Sequence, residues 1–561
     1  MDHTLLGMRI IETLQSSVNA GLVRKGAKIM PHRAVVYAML IDLSIGNVSG
    51  FDLRAMNAFR WHPNGEACDL ACTPHRKLSQ PFVICEVDMQ GWLDSCEGDV
   101  EFSLSAFSRD VEIIERGMWN AVAVWFQLDL LPGSSCTTGS TPSSGSSWPQ
   151  SIYYVHECPV DIGQKTLLYI RQTSTRFEFT STKQRVCRPM HSNIPNWHWD
   201  MLHDFNRNSA YERAIKRAVK KHKSMKAGEV FVLDLGSGSG LLSMMAARAG
   251  ADRVAGVEQN RAMCEISDDI LVANGRSTDC FVIQRDARRL LTGDSDILRG
   301  GRKPDGAFPE LDRKADICVS EVLDAGCIGE GVLHISAIAV QRLLLPGATI
   351  IPAAARVFAV PISIFRRGEV AGVNVEQLNR FHWRSDYEGV DLSKESWTPA
   401  ADTTEIFTFD FANVEAYCQP QQHSFTLQAT CHTVVNAVAM WFTVQLDEVE
   451  SLSSSPFGAC GTTWPQAIQF VKEFAVQPGD AIQLVAAHDT YSIKLEASGG
   501  ITTSVPVVDP EWLRDYARLD AANAVMMREI SQSPLEFRRA ALAATRLAAL
   551  EPSSAFLLRF M

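Results

Sequence analysis

The chain has 561 residues, and its 64 Asp and Glu against 53 Lys and Arg give a formal net charge of −11 and a pI of about 5.7. This acidity argues against a protein that coats nucleic acid, because neutralising phosphates requires a surplus of Lys and Arg. No apolar run approaches the roughly 20 residues that cross a bilayer, and the N-terminus lacks the pattern of a secretory signal. The 14 cysteines are too scattered for a disulfide framework. We therefore expect a cytoplasmic or nuclear protein with no membrane partner and no direct binding to nucleic acid.

One pattern of residues occurs twice. NAVAVWF from Asn120 recurs as NAVAMWF from Asn436, and WPQ from Trp148 recurs from Trp464, in both cases 316 positions later. Short runs that alternate apolar and polar residues, bounded by Gly, Pro and Ser, dominate both copies. The pattern predicts two all-β units, each a sandwich or a barrel. Within the first copy, the Ser- and Gly-rich segment 132–147 predicts a flexible loop.

The first copy also contains a group of metal-ligand residue types, Cys68, Cys72 and His75. Structural zinc sites need four ligands at regular spacing. Here the spacing is irregular and no fourth ligand is evident nearby, so we predict no metal site.

The region between the two copies has a different pattern of residues. The apolar runs EVFVLDL, VAGVE, CFVIQ and ADICVS alternate with helical stretches, which is typical of a parallel sheet with crossover helices. The helix that precedes the first run carries seven basic residues between Arg213 and Lys226. A solvated helix face is the favoured interpretation, and a docking site for nucleic acid or an acidic protein is the alternative.

A glycine-rich turn follows the strand VFVLDL and leads into a helix predicted over 241–249. The turn contains Asp234, Gly236, Gly238 and Gly240. Glycines suit a tight turn at which a ligand touches the backbone, and the helix N-terminus offers free N–H groups. Glu258 ends the next strand, 20 residues after Gly238, where an acidic side chain can accept hydrogen bonds from ribose hydroxyls.

The pattern around this turn distinguishes two cofactor classes. A dinucleotide site favours glycine or alanine at position 241, but this chain has Leu241. The form Asp-x-Gly-x-Gly-x-Gly is instead that of methyltransferases which bind S-adenosyl-L-methionine. Asp286 and Ala287, after the strand CFVIQ, fit the adenine-side contacts of that class. A βα turn with a purely structural role is the alternative.

Two glutamates stand nine residues apart in the segment EVLDAGCIGEG. Glu321 follows a predicted parallel strand, at the edge where open α/β sheets bind ligands. The glycines between them permit a hairpin that would bring Glu330 beside Glu321. Two carboxylates in one cleft suit a planar guanidinium group, although an acidic surface loop is the alternative. Asp324, within the hairpin, could narrow the pocket or be a solvated turn residue.

These motifs together resemble the protein arginine methyltransferases. The resemblance rests on IPNWHWDMLHDFNRN from Ile194, on VLDLGSGSGLL from Val232 and on SEVLDAGCIGEGV from Ser320. The resemblance is strongest to the branch whose single chain carries two modules, each a methyltransferase domain with a β barrel. It implies S-adenosyl-L-methionine as cofactor, arginine-containing proteins as substrates, and symmetric dimethylarginine or monomethylarginine as product.

The resemblance also implies roles for individual residues. Glu321 and Glu330 match the substrate-binding glutamates, and Met201 and Trp464 match positions that wall the substrate pocket. Arg207 matches the partner of the cofactor's methionine carboxylate. The full cofactor-binding set would be Arg207, Asp234, Gly236, Gly238, Gly240, Glu258, Asp286 and Ala287. Trp197 and Trp199, which flank His198, could be hydrophobic packing residues or a lid over the cofactor, and the resemblance favours the lid.

The chain departs from the family pattern in three places. The barrel loop that reads Thr-His-Trp in much of the family is Thr462-Thr463-Trp464 here, so no imidazole role is assigned. The aromatic Tyr-Phe-x-x-Tyr entry is absent from 186–198. The first copy has no glycine loop and carries Arg9 where the repeat places Glu330, so we expect it to bind no cofactor. Without the rest of a sheet, we expect 1–22 to be locally unstable, with the apolar side chains of Leu5, Leu6, Ile10 and Ile11 uncovered.

The predicted fold is therefore an α/β Rossmann-like class I methyltransferase domain followed by an all-β barrel, and preceded by a second barrel copy with a truncated methyltransferase remnant. The predicted segments are the remnant at 1–30, the first barrel at 31–185, the methyltransferase domain at 186–352, the second barrel with a dimerisation-arm-like insertion at 353–500, and a helical tail at 501–561 that begins near Asp509. Such a chain could form a pseudo-dimer within itself or a homodimer. The alternative functions are an inactive scaffold of the same fold and a methyltransferase for a small cationic substrate.

Overall fold

A computed structural model describes most of the chain up to residue 499. The described residues are 3–24, 26–60, 65–95, 106–131, 133–139, 148–173, 176–181, 194, 197–225, 228–293, 310–370, 372–381, 386–458 and 463–499. The predicted helical tail lies outside them. Among the helices of the described residues, none is both long and apolar enough to span a membrane.

The first β unit consists mainly of antiparallel strands. Its elements are α1 (Ile10–Asn19), β1 (Arg33–Asp42), β2 (Asn47–Val48), β3 (Phe51–Asp52), a 3-10 helix (Arg54–Phe59), β4 (Glu66–Cys68), β5 (Arg76–Lys77), β6 (Phe82–Asp88), α2 (Met89–Ser95), β7 (Ala106–Glu112), β8 (Gly117–Leu131), β9 (Ser134–Thr137), β10 (Gln150–Val160), β11 (Lys165–Gln172) and β12 (Phe177–Ser181). Side chains of β1 alternate between two apolar clusters, with Val36 and Leu40 in one and Met39 and Ile41 in the other. Because both faces of β1 are covered, its sequence is apolar almost throughout.

Two expectations for this unit are wrong. Leu5 and Leu6 are at most 1% exposed and belong to the same apolar cluster as Val36 and Trp119. The core of the first β unit therefore covers these leucines, although the sequence suggested that they lack a partner. Part of the predicted flexible loop is instead a strand, because β9 pairs antiparallel with β8; residues 132 and 140–147 of that loop lie outside the described residues.

The central region is an α/β domain with a five-stranded sheet. Its elements are α3 (Trp197–Leu202), α4 (Phe205–Met225), β13 (Phe231–Leu235), α5 (Leu241–Arg248), β14 (Arg253–Glu258), α6 (Arg261–Ala273), β15 (Cys280–Gln284), a 3-10 turn (Ala287–Arg289), β16 (Ala315–Ser320), α7 (Val332–Ile338), a π-helical turn (Ala339–Leu343) and β17 (Leu344–Ile351). The strand order is β15-β14-β13-β16-β17, and every pair is parallel, as the alternating pattern predicted. The chain order reverses between β13 and β16. This switch point opens a crevice at the carboxyl edge of the sheet, between the glycine turn and the Glu321 hairpin.

The second β unit follows directly. Its elements are β18 (Ala354–Ile364), β19 (Glu369–Val370), β20 (Val373–Asn374), a 3-10 helix (Glu376–Phe381), β21 (Glu388–Val390), a 3-10 turn (Leu392–Lys394), β22 (Trp397–Pro399), β23 (Thr404–Asp410), a 3-10 helix (Val414–Tyr417), β24 (Gln421–Gln428), β25 (Thr433–Gln445), β26 (Ser451–Ser453), β27 (Gln466–Val476), β28 (Ala481–His488) and β29 (Ile493–Gly499). Its larger sheet runs β21-β27-β25-β18-β22, and that of the first unit runs β4-β10-β8-β1-β5. Each is accompanied by a three-stranded sheet, β24-β28-β29 or β7-β11-β12. The residue repeat thus corresponds to a repeated strand order.

One segment of the first unit packs on the α/β domain. This first arm, residues 45–59, carries β2, β3 and the 3-10 helix that follows. Val48 and Phe51 are 7% and 4% exposed and lie in the apolar cluster that includes side chains of α5 and α6. The guanidinium of Arg248 lies 4.0 Å from the centre of the Phe51 ring. Asn274, just after α6, exchanges two 2.8 Å hydrogen bonds with the backbone of Asp52.

The corresponding segment of the second unit has a different environment. In this second arm, residues 367–381, Val370, Val373 and Leu378 lie 322 positions after Val48, Phe51 and Met56. This offset is six larger than the 316 positions found between Asn120 and Asn436, because small insertions and deletions separate the two copies. These three side chains are 49%, 61% and 57% exposed. The same local structure is therefore covered by two helices in one copy and open to solvent in the other.

This contrast gives a stability prediction with an internal control. Phe51→Ala is expected to lower the free energy of unfolding by about 3–5 kcal/mol, because it removes a buried ring from between the first arm and the α/β domain. Val373→Ala, at the equivalent exposed position, is expected to change it by less than about 0.5 kcal/mol. Urea unfolding of the two variants and the wild-type protein measures the difference. Equal destabilisation by both substitutions would contradict the role of Phe51 as an anchor.

Candidate active site

A cavity of about 750 Å³ opens at the carboxyl edge of the parallel sheet. Its walls come from α3, from the loops after β13, β14, β15 and β16, and from the loop before β27 of the second β unit. Ten of the residues predicted from the sequence line it: Met201, Arg207, Gly236, Gly238, Glu258, Asp286, Ala287, Glu321, Glu330 and Trp464. The structure thus brings both glutamates and the glycine turn to a single cavity.

The glycine turn requires glycine for two reasons. Gly236, Gly238 and Gly240 have φ angles of 78°, 51° and 78°, in the left-handed region that L side chains rarely adopt. A Cβ atom at Gly236 would also lie 2.6 Å from Cγ1 of Val322, which follows Glu321. The turn and the glutamate hairpin therefore pack directly against each other.

Two predicted cofactor residues do not line the cavity. Asp234 is fully buried beneath the turn, where it accepts a 2.6 Å hydrogen bond from the Ser243 hydroxyl. Its burial raises the pKa of Asp234 to about 7. Gly240 is the N-cap of α5, and a Cβ there would lie 2.7 Å from Oγ of Ser267. Both residues therefore shape the turn from below and do not contribute to the cavity wall.

The acidic residue that ends β14 is held in place by the turn. Glu258 accepts a 3.0 Å hydrogen bond from the backbone N–H of Gly238 through Oε2, and a 2.7 Å bond from that of Asn260 through Oε1. These bonds fix the carboxylate at the cavity edge. Each oxygen retains a further lone pair for a ligand hydroxyl.

The carboxylate predicted to contact adenine has a partner within the protein. Arg288 donates to Asp286 through Nε and Nη2, at 2.9 Å and 2.8 Å. These hydrogen bonds lower the pKa of Asp286, so the group stays ionised. The adjacent Ala287 lines the cavity.

The cavity floor contains a buried ion pair. Arg207 on α4 donates through Nη2 to Oε2 of Glu321, and the two side chains are 4% and 6% exposed. Arg207 also donates through Nη1 to Asn208, at 2.8 Å. Its Nε has no hydrogen-bond partner in the structure although it is buried. The predicted cofactor arginine and the first substrate glutamate therefore touch each other, 114 residues apart in the chain.

Glu330 lies at the cavity mouth, where the residue reaches solvent. Partial burial of its carboxyl group raises the pKa of Glu330 to about 7, and the nearby negative charges of Glu321, Asp324 and Glu258 act in the same direction. An acid in such surroundings favours either a proton or a bound cation.

Sequence reasoning considered His198 only as the residue between two tryptophans. The structure places its ring against the glycine turn, such that a Cβ at Gly238 would lie 3.1 Å from Cε1 of His198. His198 is 7% exposed, lines the cavity and has no hydrogen-bond partner for Nε2. Burial, assisted by the charge of Arg207, lowers the pKa of His198 to about 4, so the ring is neutral. The sequence carried no distinctive signal for this placement, because a single histidine between two tryptophans on a short helix looks like a packing residue.

The two tryptophans that flank His198 differ from each other. Trp197 is 55% exposed and lines the cavity, as a lid residue would. Trp199 is buried in the core, and Arg60 of the first β unit lies 4.9 Å from its ring centre. Trp199 thus packs as a hydrophobic residue and links α3 to the first β unit.

The second β unit reaches the cavity through a loop bonded to the start of α4. Asp204 accepts from the backbone N–H of Arg207 at 2.9 Å and from that of Thr463 at 2.7 Å. The neighbouring Trp464 is 8% exposed, and its ring centre lies 5.1 Å from that of Phe442. Thr462 lies outside the described residues.

The basic helix face is not simply solvated. Arg213 donates to Glu450 at 2.8 Å and Arg217 to Asp447 at 2.7 Å, both in the turn between β25 and β26. These ion pairs join α4 to the second β unit, which the charge pattern alone did not predict.

The Cys68 thiol contacts the Thr73 hydroxyl at 3.3 Å, and the His75 ring bonds to the Thr73 carbonyl at 2.8 Å. Within the part of the chain that the structure describes, no three metal-ligand side chains form a group that could hold an ion.

Comparison with known proteins identifies the family. Residues 32–181 match the arginine methyltransferase oligomerization subdomain. An arginine N(omega)-methyltransferase of Streptomyces achromogenes subsp. streptozoticus is 30% identical over 312 residues, a match that covers 54% of this chain and 79% of that protein. The chain belongs to the arginine methyltransferase family.

Other relatives in this family are longer. Protein arginine N-methyltransferase 9 of Mus musculus is 28% identical over 355 residues, which are 56% of this chain and 39% of that protein. Protein arginine N-methyltransferase 7 of Aedes aegypti is 29% identical over 336 residues, which are 52% of this chain and 47% of that protein. The matched part of the chain spans less than half the length of these two relatives. These matches support the resemblance to the branch of the family that carries two modules in one chain.

Proposed function

We propose that this chain transfers a methyl group from S-adenosyl-L-methionine to a guanidinium nitrogen of arginine. The proposal rests on the observation that one cavity contains two groups of residues, here called half-sites. One half contains the glycine turn, Glu258 and Asp286, and the other contains Glu321 and Glu330. Membership of the arginine methyltransferase family supports the same chemistry.

The residues present fit this cofactor. His198 Nε2, Arg207 Nε and Ser237 Oγ are buried at the cavity without hydrogen-bond partners in the structure, and such atoms favour a polar ligand. Arg207 and His198 would hold the amino-acid end, Glu258 the ribose hydroxyls, and Asp286 with Ala287 the adenine. When bound, the cofactor supplies an electrophilic methyl group on a sulfonium.

The two glutamates would act on the substrate. A guanidinium with a pKa above about 12 is a poor nucleophile, so its orientation matters more than general basicity. Glu330 and Glu321 would bind its N–H groups, localise the positive charge on their side and direct another nitrogen toward the methyl donor. Glu330 must be ionised for this task.

The substrate class and the product remain parts of the proposal. Arginine in proteins, with symmetric dimethylarginine or monomethylarginine as product, is favoured by the similarity to protein arginine N-methyltransferases 9 and 7. A small arginine-bearing molecule is the second candidate, because the Streptomyces relative is named for arginine alone. An inactive scaffold is disfavoured by the intact cavity.

A transfer assay tests the proposal. Tritiated cofactor is incubated with the wild-type protein or Glu330→Gln and with an arginine-rich peptide, the same peptide with lysine at each arginine, or free arginine. We expect label on the arginine peptide with the wild-type protein only, and mass spectrometry then identifies the product. Label on free arginine alone would move the substrate to the small-molecule class. Wild-type protein that binds the cofactor but labels no arginine substrate would refute the proposal.

We also propose an arrangement for the assembled protein. The first arm packs on α5 and α6 of the same chain, which supports a pseudo-dimer within one polypeptide. A homodimer through the exposed second arm is the alternative, and light scattering with and without Leu378→Glu distinguishes the two. The described cysteines are free thiols, which supports a location in the cytoplasm or nucleus.

A further inference from the structure

The hairpin between the two glutamates is built around the carboxylate of Asp324. Oδ1 of Asp324 accepts a 2.8 Å hydrogen bond from the backbone N–H of Gly329, the residue directly before Glu330. Oδ2 accepts a hydrogen bond from the hydroxyl of Tyr387, which belongs to the second β unit. A single side chain therefore links the residue beside Glu330 to a distant phenol.

The glycines of the hairpin make room for this contact. A Cβ at Gly326 would lie 2.9 Å from Cε1 of Tyr387 and still closer to its hydroxyl end. A Cβ at Gly329 would lie 2.8 Å from Oη of Tyr387 and would also overlap the Asp324 carboxylate. Only glycine allows the phenol and the carboxylate to sit this close to the hairpin backbone.

The β fold itself does not demand a tyrosine at this position. The repeat places Tyr387 opposite Gly65, which likewise stands just before the first residue of an edge strand, β4 in the first unit and β21 in the second. Both edge strands pair antiparallel with the long strand beside them. The unit that faces the glutamate hairpin carries the phenol, and the unit without such a hairpin carries glycine.

We propose that Tyr387 is a positioning residue, whose hydroxyl orients Asp324 so that Asp324 fixes the backbone at Gly329 and thereby places Glu330 for binding guanidinium. This inference rests on the proposed function, because Glu330 is taken to bind arginine. It assigns to the second β unit a direct part in forming the substrate site. Asp324 then has a defined structural task and is not a solvated turn residue.

The test uses Tyr387→Phe, which keeps the ring and removes the hydroxyl, and Tyr417→Phe as the matched control. Tyr417 lies in the same β unit and packs its ring edge against Phe409, 5.5 Å away. Hydrogen exchange at the Gly329 amide reports the positioning without any need for turnover. We expect faster exchange at Gly329 in Tyr387→Phe and no change in Tyr417→Phe. Unchanged exchange in Tyr387→Phe would overturn the proposal.

Kinetics with the arginine peptide give the second readout. We expect Tyr387→Phe to lower kcat/KM about 10- to 100-fold, the usual effect of losing a hydrogen bond to a charged group, while the affinity for S-adenosylhomocysteine stays within about twofold of wild type. Tyr387→Phe and Asp324→Asn break the same linkage, so the double variant should have nearly the same kcat/KM as Asp324→Asn alone. The proposal would be overturned if the effects of the two substitutions on kcat/KM multiplied in the double variant. It would also be overturned if Tyr387→Phe lost cofactor affinity and peptide activity equally, because that would indicate general damage. A wild-type protein that labels no arginine substrate would instead refute the proposed function, and the exchange measurement would still decide whether Tyr387 orders the hairpin.

Discussion

Arg207→Met is expected to abolish methyl transfer and to destabilise the protein by about 3–5 kcal/mol, the usual cost of leaving one member of a buried ion pair without its partner. Glu321 would keep its carboxylate at 6% exposure with no cation beside it. The substitution would also remove the group proposed to hold the amino-acid end of the cofactor. Urea unfolding, calorimetric titration with S-adenosylhomocysteine and the transfer assay measure the three consequences separately.

The double variant Arg207→Met/Glu321→Gln separates stability from function. The double variant leaves no uncompensated charge at this position, so we expect it to regain most of the stability that Arg207→Met alone loses. Transfer should stay absent, since both proposed binding groups are gone. A double variant as unstable as Arg207→Met alone would show that the ion pair is not the reason for the destabilisation.

Glu330→Gln is expected to lower kcat/KM for the arginine peptide by about 100-fold or more, in the range found for removal of one group that stabilises transition-state charge. Cofactor affinity should change little, because Glu330 is exposed at the cavity mouth and belongs to the half-site proposed to bind the substrate. A residual activity within about tenfold of wild type would contradict the assignment of Glu330 to guanidinium binding.

The pH dependence follows from the same carboxyl group. Since the pKa of Glu330 is raised to about 7, kcat/KM of the wild-type protein should rise with pH through about 7 and level off above it. Asp324 is one of the charges that raise this pKa, so Asp324→Asn should move the rise to lower pH. A pH profile in Asp324→Asn that keeps the wild-type midpoint would argue against this electrostatic origin.

Stability should change with pH in the opposite direction to activity. Because the pKa of Glu330 is higher in the folded state, the folded protein binds more protons at this group than the unfolded chain does. The contribution of Glu330 to stability is therefore complete below its unfolded pKa of about 4.5 and is lost as pH rises through about 7. The buried Asp234, with a pKa raised to about 7, acts in the same direction. We therefore expect the ligand-free protein to lose stability between about pH 5 and pH 8, and Glu330→Gln to lose less over that interval.

Much of the site was accessible from the sequence because its parts are locally encoded. The glycine turn needs left-handed backbone at three positions, and only glycine adopts it at low cost. Strands buried on both faces appear as short apolar runs, so the parallel sheet was predictable from the alternation between Val230 and Ser320. Glu258, Glu321 and Asp286 were found because each ends or follows such a strand at the ligand-binding edge.

Other features were mispredicted or missed because they depend on segments that are distant in the chain. Leu5 and Leu6 were expected to be uncovered, but the core of the first β unit buries them. Asp234 was expected at the cofactor, but it lies beneath the turn with Ser243. His198 gave no distinctive pattern, because a single buried histidine on a short helix looks like a packing residue until its neighbours are known.

The sequence by itself determined the residue types at the site, the parallel sheet and the existence of two similar β units, because backbone conformation and alternating burial leave local, periodic marks on a chain. Only the tertiary structure decided that Arg207 pairs with Glu321, that Tyr387 reaches Asp324 and that one arm is covered while its repeat is exposed. These contacts join side chains 63 to 114 residues apart, or set two copies of one motif in unlike surroundings. They are fixed by the packing of whole domains, which no local pattern records.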